Sequence, residues 1–535
     1  MRGAFSIYST DSSTNADRMS RKLLKSTAVT GGWTLLSRIS GLVRDVAFAS
    51  IMGSGLVADA FFVAFRVPNF FRRIFGEGAL SQAFVPVFSE YKETATPEET
   101  RAFLDHLTGR LGVILIAITA VGILIAPGFV TVIAPGFLED DEKFRLTVDA
   151  LRVCFPYLVF ISLVAVSAGI LNTCGRFAVP AATPVLLNLS LIGAAFWLVP
   201  VMDNAAIALA VGVVVAGLAQ LLLQVPFLKK EGHLPRPRLG RREAGVGKVF
   251  RLMLPAIFGV SVAQINVLVN TLLASFLVTG SVSWLYYSDR VMEFPLGVFG
   301  IALATVILPS LSKLHAREDT DSFSELLDWA LRWVLVIVLP AAVGLILLAG
   351  PLITTLFQYG ATTPSDVDMM TKSLIGFALG LLGLVLVKVL APGFFARQNT
   401  KTPVKVGVIS MVVNMVAAVL LFYPLKHVGL AVATSIAAWV NAGLLYVLLR
   451  RESVYMPLPG WPAFLVKVGV AGLLMAVAVF WFGGEVQTWI DAGVSERILR
   501  MALCVGVGAG VYFSALFAMG IRPKHLVLNK AEFDL

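Results

Sequence analysis

The chemistry in this sequence lies in ionisable side chains set among apolar runs. Arg38, Arg44, Asp45, Asp59, Arg66, Arg72, Arg73 and Glu77 fall in two consecutive hydrophobic stretches near the N-terminus. Asp289, Arg290 and Glu293 fall in a later one, and Lys388 stands near the middle of another. A guanidinium group presents a planar fork of donors that matches phosphate or carboxylate oxygens in pairs. The first two stretches hold five arginines against three carboxylates, and a surplus of two positive charges suits a pyrophosphate. Insertion scales assign about 2.5–3.5 kcal/mol to each arginine at mid-bilayer, so three would cost roughly 8–10 kcal/mol. Such a cost persists only where the groups pair, reach water or line a wet cavity.

Spacing decides which groups can pair. Asp59, Arg66 and Arg73 are seven apart and Glu77 lies four further on, so they share one helical stripe along which salt bridges would form. Arg38 and Asp45 are also seven apart. Asp289, Arg290 and Glu293 can satisfy one another within a helical turn. Arg72 lies about 100° off the charged stripe, so pairing along the helix explains it less easily. Arg44 shares a face with Ser37, Ser40 and Gly41, which suits either tight helix packing or a wet groove. Lys388 either snorkels to the membrane surface or serves a site.

Catalytic signatures are missing. The sequence has no P-loop, HExxH or GxSxG, and its five histidines are scattered. Cys154, Cys174 and Cys504 have no partner spacing for a disulfide or zinc. The chain reads as a transporter rather than an enzyme, with no cofactor and no metal.

The elements that must carry these residues are membrane spans. Of 535 residues 57% are apolar and only 14% charged, and mean hydropathy is +0.84. Apolar runs long enough to cross a roughly 30 Å hydrocarbon core recur from end to end. About fourteen spans are expected, near 27–51, 56–90, 110–135, 147–172, 182–201, 205–228, 249–279, 283–313, 325–349, 370–397, 403–423, 428–449, 461–482 and 497–520. Breaks in span two are expected at Pro68 and at Gly76-Glu77-Gly78.

The net charge of +10 reflects basic residues gathered in alternate loops, not nucleic-acid binding. They precede span one (Arg18, Arg21, Lys22, Lys25), separate spans six and seven (Lys229 to Lys248), and recur at Arg397, Lys401, Arg450, Arg451, Arg522 and Lys524. The other loops are short or acidic, as at Glu139 to Glu142. Both termini are therefore expected in the cytoplasm.

The two halves look repeated. Arg66 before Pro86-x-x-Ser89 matches Arg290 before Pro309-x-x-Ser312, and Arg176 matches Arg397. Halves with an even number of spans form a parallel repeat, with a site expected between them. The fold class is thus all-α integral membrane, with two six-span halves in a parallel repeat followed by two further spans. The expected divisions are a disordered tail (1–18), an N-lobe (19–230), a basic linker (231–248), a C-lobe (249–451), spans thirteen and fourteen (452–520) and a C-terminal tail (521–535).

Five runs resemble the MurJ (MviN) lipid II flippase family: SRISGLVRD from Ser37, ADAFFVAFRVPN from Ala58, FRRIFGEGALSQAFVP from Phe71, SWLYYSDR from Ser283 and KVLAPGFF from Lys388. The resemblance extends from Met19 onward. It implies the fold of the multidrug/oligosaccharidyl-lipid/polysaccharide exporter superfamily, two six-helix lobes around a central cavity plus two C-terminal helices, and a function in peptidoglycan synthesis, moving lipid II to the outer leaflet. It implies essential cavity residues at Arg38, Arg44, Arg72, Arg290 and Asp59, with Arg66, Arg73, Glu77, Asp289, Glu293 and Lys388 in support. It also implies a polyprenyl-tail groove on the last two spans, a bacterial inner-membrane location, and a monomer working beside other cell-wall synthesis proteins. Some members bind sodium through acidic residues of the seventh and eleventh helices. Here span seven offers only Gln264, Asn266 and Asn270, and span eleven only Asn414. Electrostatics alone leaves open a flippase for another polyprenyl-linked glycan. A cation-coupled drug antiporter would need an acidic cavity, and a membrane glycosyltransferase would need a catalytic carboxylate pair.

Overall fold

The computed structural model describes residues 11–74, 79–240 and 243–522, and all regular structure among them is helical. In chain order the helices are α1 (Asp11–Met52), α2 (Leu56–Phe71), α3 (Ala79–Thr94), α4 (Pro97–Leu124), α5 (Ala126–Ile133), α6 (Asp141–Cys154) and α7 (Tyr157–Thr173). Then come α8 (Ala178–Gly193), α9 (Ala205–Lys230), α10 (Ala244–Ser275), α11 (Ser281–Pro295), α12 (Ile301–Ala316) and α13 (Thr320–Leu347). The chain ends with α14 (Ala349–Phe357), α15 (Pro364–Phe395), α16 (Lys401–Arg451), α17 (Trp461–Gly483), α18 (Val486–Ile490) and α19 (Val494–Ala518).

Among the described residues, nine helices are long and apolar enough to cross a membrane. Reaching fourteen spans requires α16 to count twice and α1, α2 with α3, α10, and α11 with α12 to cross as well. Helix α16 does turn back. Its 51 residues would measure about 77 Å if straight, more than twice a hydrocarbon core. Lys426 breaks it with φ 51° and ψ −131°. A Cβ on Gly429 would stand 2.3 Å from the Leu421 carbonyl oxygen, so only glycine permits so close a reversal.

Helix α1 runs from Asp11 to Met52, so it starts well before residue 27, where the first span is expected. No proline or glycine lies between Asp11 and Thr30, and a nucleated helix propagates through such a run. Pro68 does not break α2, which continues to Phe71. It passes instead into a π-helical turn at Arg72, Arg73 and Ile74, whose wider ladder absorbs the lost hydrogen bond. Gly76, Glu77 and Gly78 lie outside the described residues.

The repeat is visible helix by helix. Helices α4 and α13 each contain 28 residues and lie 223 positions apart (97 to 320, 124 to 347). An interhelical ion pair recurs with them: Arg176 to Glu231 at 2.8 Å and Arg397 to Glu452 at 2.7 Å, both spanning 55 residues. A buried aspartate on each long helix also holds the chain that follows the sixth span of its half. Asp105 accepts from the Arg236 amide, and Asp328 accepts from the Leu458 amide, the Tyr455 hydroxyl and the Trp461 indole. Burial among these donors pushes the Tyr455 phenol up, desolvation being the larger cause and Asp328 the next.

The chain divides into two compact units. The first comprises Met1–Ala47, Ala64–Val130 and Phe144–Gln264. Its core is aromatic, with Phe84 stacked between Phe88 and Phe103 at ring centroid distances of 5.4 and 6.3 Å. The second comprises Phe48–Val63, Thr131–Lys143 and Ile265–Leu535. In it α15 lies directly on α16, where Gly380 leaves room for Ser435, whose hydroxyl donates to the Gly376 carbonyl. Helices α17 and α19 share a core with α13 around Val336, Met475, Val479 and Tyr512.

Candidate functional site

The ionisable residues separate by burial. Arg44 and Asp59 are buried, at 7% and 1% exposure, whereas Arg38, Arg66, Arg72, Arg73, Asp289, Arg290 and Glu293 are half-buried and Lys388 is exposed.

In the first unit, Arg44 donates to its neighbour Asp45 through Nε and Nη2, at 2.9 and 2.7 Å, and to Asn188 through Nη1 at 3.0 Å. Asn188 of α8 in turn donates to the Ser37 carbonyl and the Ser40 hydroxyl. The face of Ser37, Ser40 and Gly41 is therefore packed against α8, and Gly41 brings the backbone close to Asn188. Tight packing, not a wet groove, is the outcome around Arg44. Arg72 and Arg73 both ride on the π-helical turn after α2. The Arg72 Nε donates to Asn69 at 2.9 Å, and the Arg73 Nη1 donates to Gln264 at 3.2 Å. Each thus donates to a neutral side-chain amide, which helps to orient its guanidinium.

In the second unit, Arg290 donates to Glu293 at 2.6 Å, the i, i+3 pair the spacing allows, and lies over the Tyr286 ring at 5.0 Å. Tyr286 stacks on Phe62 with ring centroids 3.9 Å apart. The arginine is held from one side by charge and from another by a ring face. Lys388 carries its side chain past Gly300, where a Cβ would lie 3.5 Å from its Cγ. Among the described residues no hydrogen-bond partner or ion pair is found for Lys388.

Asp59 does not pair along its stripe. Its Oδ2 accepts from Lys143 Nζ at 2.9 Å and the Gly280 amide at 2.8 Å; its Oδ1 accepts from the Ser283 amide at 2.9 Å and hydroxyl at 2.5 Å. Gly280 and Ser283 are the N-cap and third residue of α11, so Asp59 caps that helix from another element. A buried carboxylate takes the strongest donors within reach, and amides at a helix start outcompete a distant arginine. Lys143 escaped the sequence reading because it directly follows Glu139 to Glu142, a stretch that reads as a solvated acidic loop.

Polar residues of spans seven and eleven do meet. Asn270 and Asn414 both approach the Thr434 hydroxyl, at 3.5 and 3.3 Å. Three neutral side chains supply no carboxylate to balance a cation. They do not fit a sodium site of that kind.

The fold and this distribution of charge define a multi-pass membrane protein of the transporter class, with two repeats and arginines inside its spans. An inward-facing multidrug transporter of the MATE family within the MOP superfamily shares the fold, with TM-score 0.63 and 15% identity over 78% of this chain and 95% of that one. A lipid II flippase MurJ solved in an inward closed conformation superposes with TM-score 0.75 and 27% identity, covering 92% of this chain and 100% of that one. The probable lipid II flippase MurJ of Vibrio cholerae is 45% identical over 515 residues, 95% of this chain and 98% of that protein. The lipid II flippase MurJ of Burkholderia cenocepacia is 40% identical over 505 residues, 94% of this chain and 98% of that protein. The profile of the family described as lipid II flippase MurJ matches residues 48–498. The chain belongs to the lipid II flippase MurJ family.

Proposed function

We propose that this protein carries lipid II from the cytoplasmic to the outer leaflet of the bacterial inner membrane by alternating access. The observation that carries the reading is a charge count. The first two spans hold five arginines against three carboxylates, and one of those carboxylates, Asp59, takes its ion pair from Lys143 rather than from an arginine. A pyrophosphate-linked head supplies the missing negative charge, and paired guanidinium donors fit its oxygens.

Within this reading Arg38, Arg72 and Arg290 bind the substrate, with Arg66, Arg73, Glu77, Asp289, Glu293 and Lys388 in support. Arg44 braces α1 against α8, and Asp59 fastens the start of α11. The exposed apolar faces of α17 and α19, among them Leu473, Val477 and Leu503, accommodate the polyprenyl tail. Both termini lie in the cytoplasm, and the working unit is a monomer. No bond is made or broken, so the protein is not an enzyme. An inside-negative potential drives two phosphate charges outward with roughly 4–5 kcal/mol per 100 mV if they cross the whole field.

Depletion followed by assay of the lipid-linked precursor left on the cytoplasmic face tests the proposal. Lipid II should accumulate, and re-expression should clear it. Accumulation of a different polyprenyl-linked glycan, with lipid II unaffected, would overturn it.

A further inference from the structure

We propose that Lys143 is a positioning residue for transport, the counter-charge that lets Asp59 release and recapture the start of α11. The inference rests on the alternating-access reading above. Lys143 is 3% exposed. Its ammonium lies 2.9 Å from Asp59 Oδ2, 3.4 Å from the Thr279 hydroxyl and 4.1 Å from the centre of the Phe137 ring. Its own backbone amide is fixed by the Asp140 carboxylate at 3.0 Å, so the base of the side chain is anchored at the beginning of α6.

The carboxylate of Asp59 has two kinds of partner. Lys143 belongs to the same repeat as Asp59, whereas Gly280 and Ser283 belong to the other. If the start of α11 moves away, the carboxylate loses three donors at once and keeps the ammonium. Without Lys143 it would be left as a bare charge in an apolar interior, the costliest state open to it. The ammonium therefore stabilises the released state more than the fastened one, in which the α11 amides already serve the carboxylate.

The second repeat shows what the position does without that task. Ser283 stands 224 positions after Asp59 and Asp366 stands 223 after Lys143. Asp366 closes a capping box with Thr363 and accepts from the Trp284 indole at 2.9 Å. A buried cation thus occurs at this position only in the repeat that carries the fastening carboxylate.

The test uses the full chain in whole cells with Ser281→Cys as a reporter. Ser281 is buried beside the contact, and its hydroxyl donates to the Val278 carbonyl. Labelling by a membrane-impermeant maleimide added outside reads the release of α11 and needs no knowledge of the substrate. Lys143→Met should lower the labelling rate about tenfold, the scale on which neighbours in one network couple, and abolish complementation. Lys143→Arg should keep both. Lys143→Met with Asp59→Asn should label at the rate of Asp59→Asn alone, because no carboxylate remains to be balanced. Unchanged or faster labelling in Lys143→Met would overturn the proposal, since a purely structural lysine loosens the contact when lost. If Lys143→Met does not accumulate, normal accumulation of the double variant supports the role and its loss overturns it. Labelling that follows these rules while lipid II traffic is unaffected would sink the proposed substrate and leave the Lys143 assignment standing.

Discussion

At the residue scale, the arginines divide by the partners that hold them. Arg44 spends its fork on Asp45 and Asn188, whereas Arg72 and Arg290 are oriented by Asn69 and Tyr286. Arg72→Ala and Arg290→Ala should each abolish complementation while immunoblots show normal protein levels. Arg290→Lys should also fail, because an ammonium lacks the planar fork that stacks on a ring and grips two oxygens. Asp319 caps α13 at a loop, and hydrogen bonds from the Ser322 side chain and amide hold its carboxyl below its ordinary value of 3.8. A folded pKa that is depressed contributes stability in full above the ordinary value and loses it as pH falls through the lower folded one. Asp319→Asn should therefore flatten the acid limb of the melting profile in detergent below about pH 4, leaving the neutral-pH melting temperature nearly unchanged.

At the element scale, glycines set how closely the end of α1 meets the turn before α15. Gly360 has φ +56°, and a Cβ there would stand 2.1 Å from the Ser50 carbonyl oxygen, which also accepts from the Ala361 amide. Gly53, with φ +59°, faces Ala361 in the same manner. Gly360→Ala meets both a disfavoured backbone angle and a backbone clash. It should speed labelling of the Ser281→Cys reporter and impair complementation. Asp328 holds Tyr455, Leu458, Trp461 and Arg332 on one buried carboxylate. Asp328→Ala should lose about 3–5 kcal/mol, read as a lower melting temperature in detergent together with faster proteolysis between α16 and α17.

At the scale of the whole molecule, the charge balance predicts how transport responds to the membrane. Two phosphate charges moving outward through the field gain roughly 4–5 kcal/mol per 100 mV. Dissipating the potential while holding the pH gradient should slow lipid II export, measured as its accumulation on the inner leaflet. Replacing external sodium with potassium should not slow it, because Asn270, Asn414 and Thr434 offer a cation no carboxylate. Undiminished export after the potential is collapsed would remove the proposed driving force.

Sequence alone determined the helical class, the arginine surplus, the repeat and the family, because each is written in local composition or in spacing along the chain. Arg290 with Glu293 was legible for the same reason, being one turn apart. Only the tertiary structure decided which partner each buried charge takes. Asp59 lies 84 residues from Lys143 and 224 from Ser283, and at such separations no periodicity records a contact. A buried carboxylate goes to the best donors within reach, and reach is fixed by how helices pack. The same holds for Arg44, whose small-residue face fitted two outcomes until Asn188 of α8 occupied it.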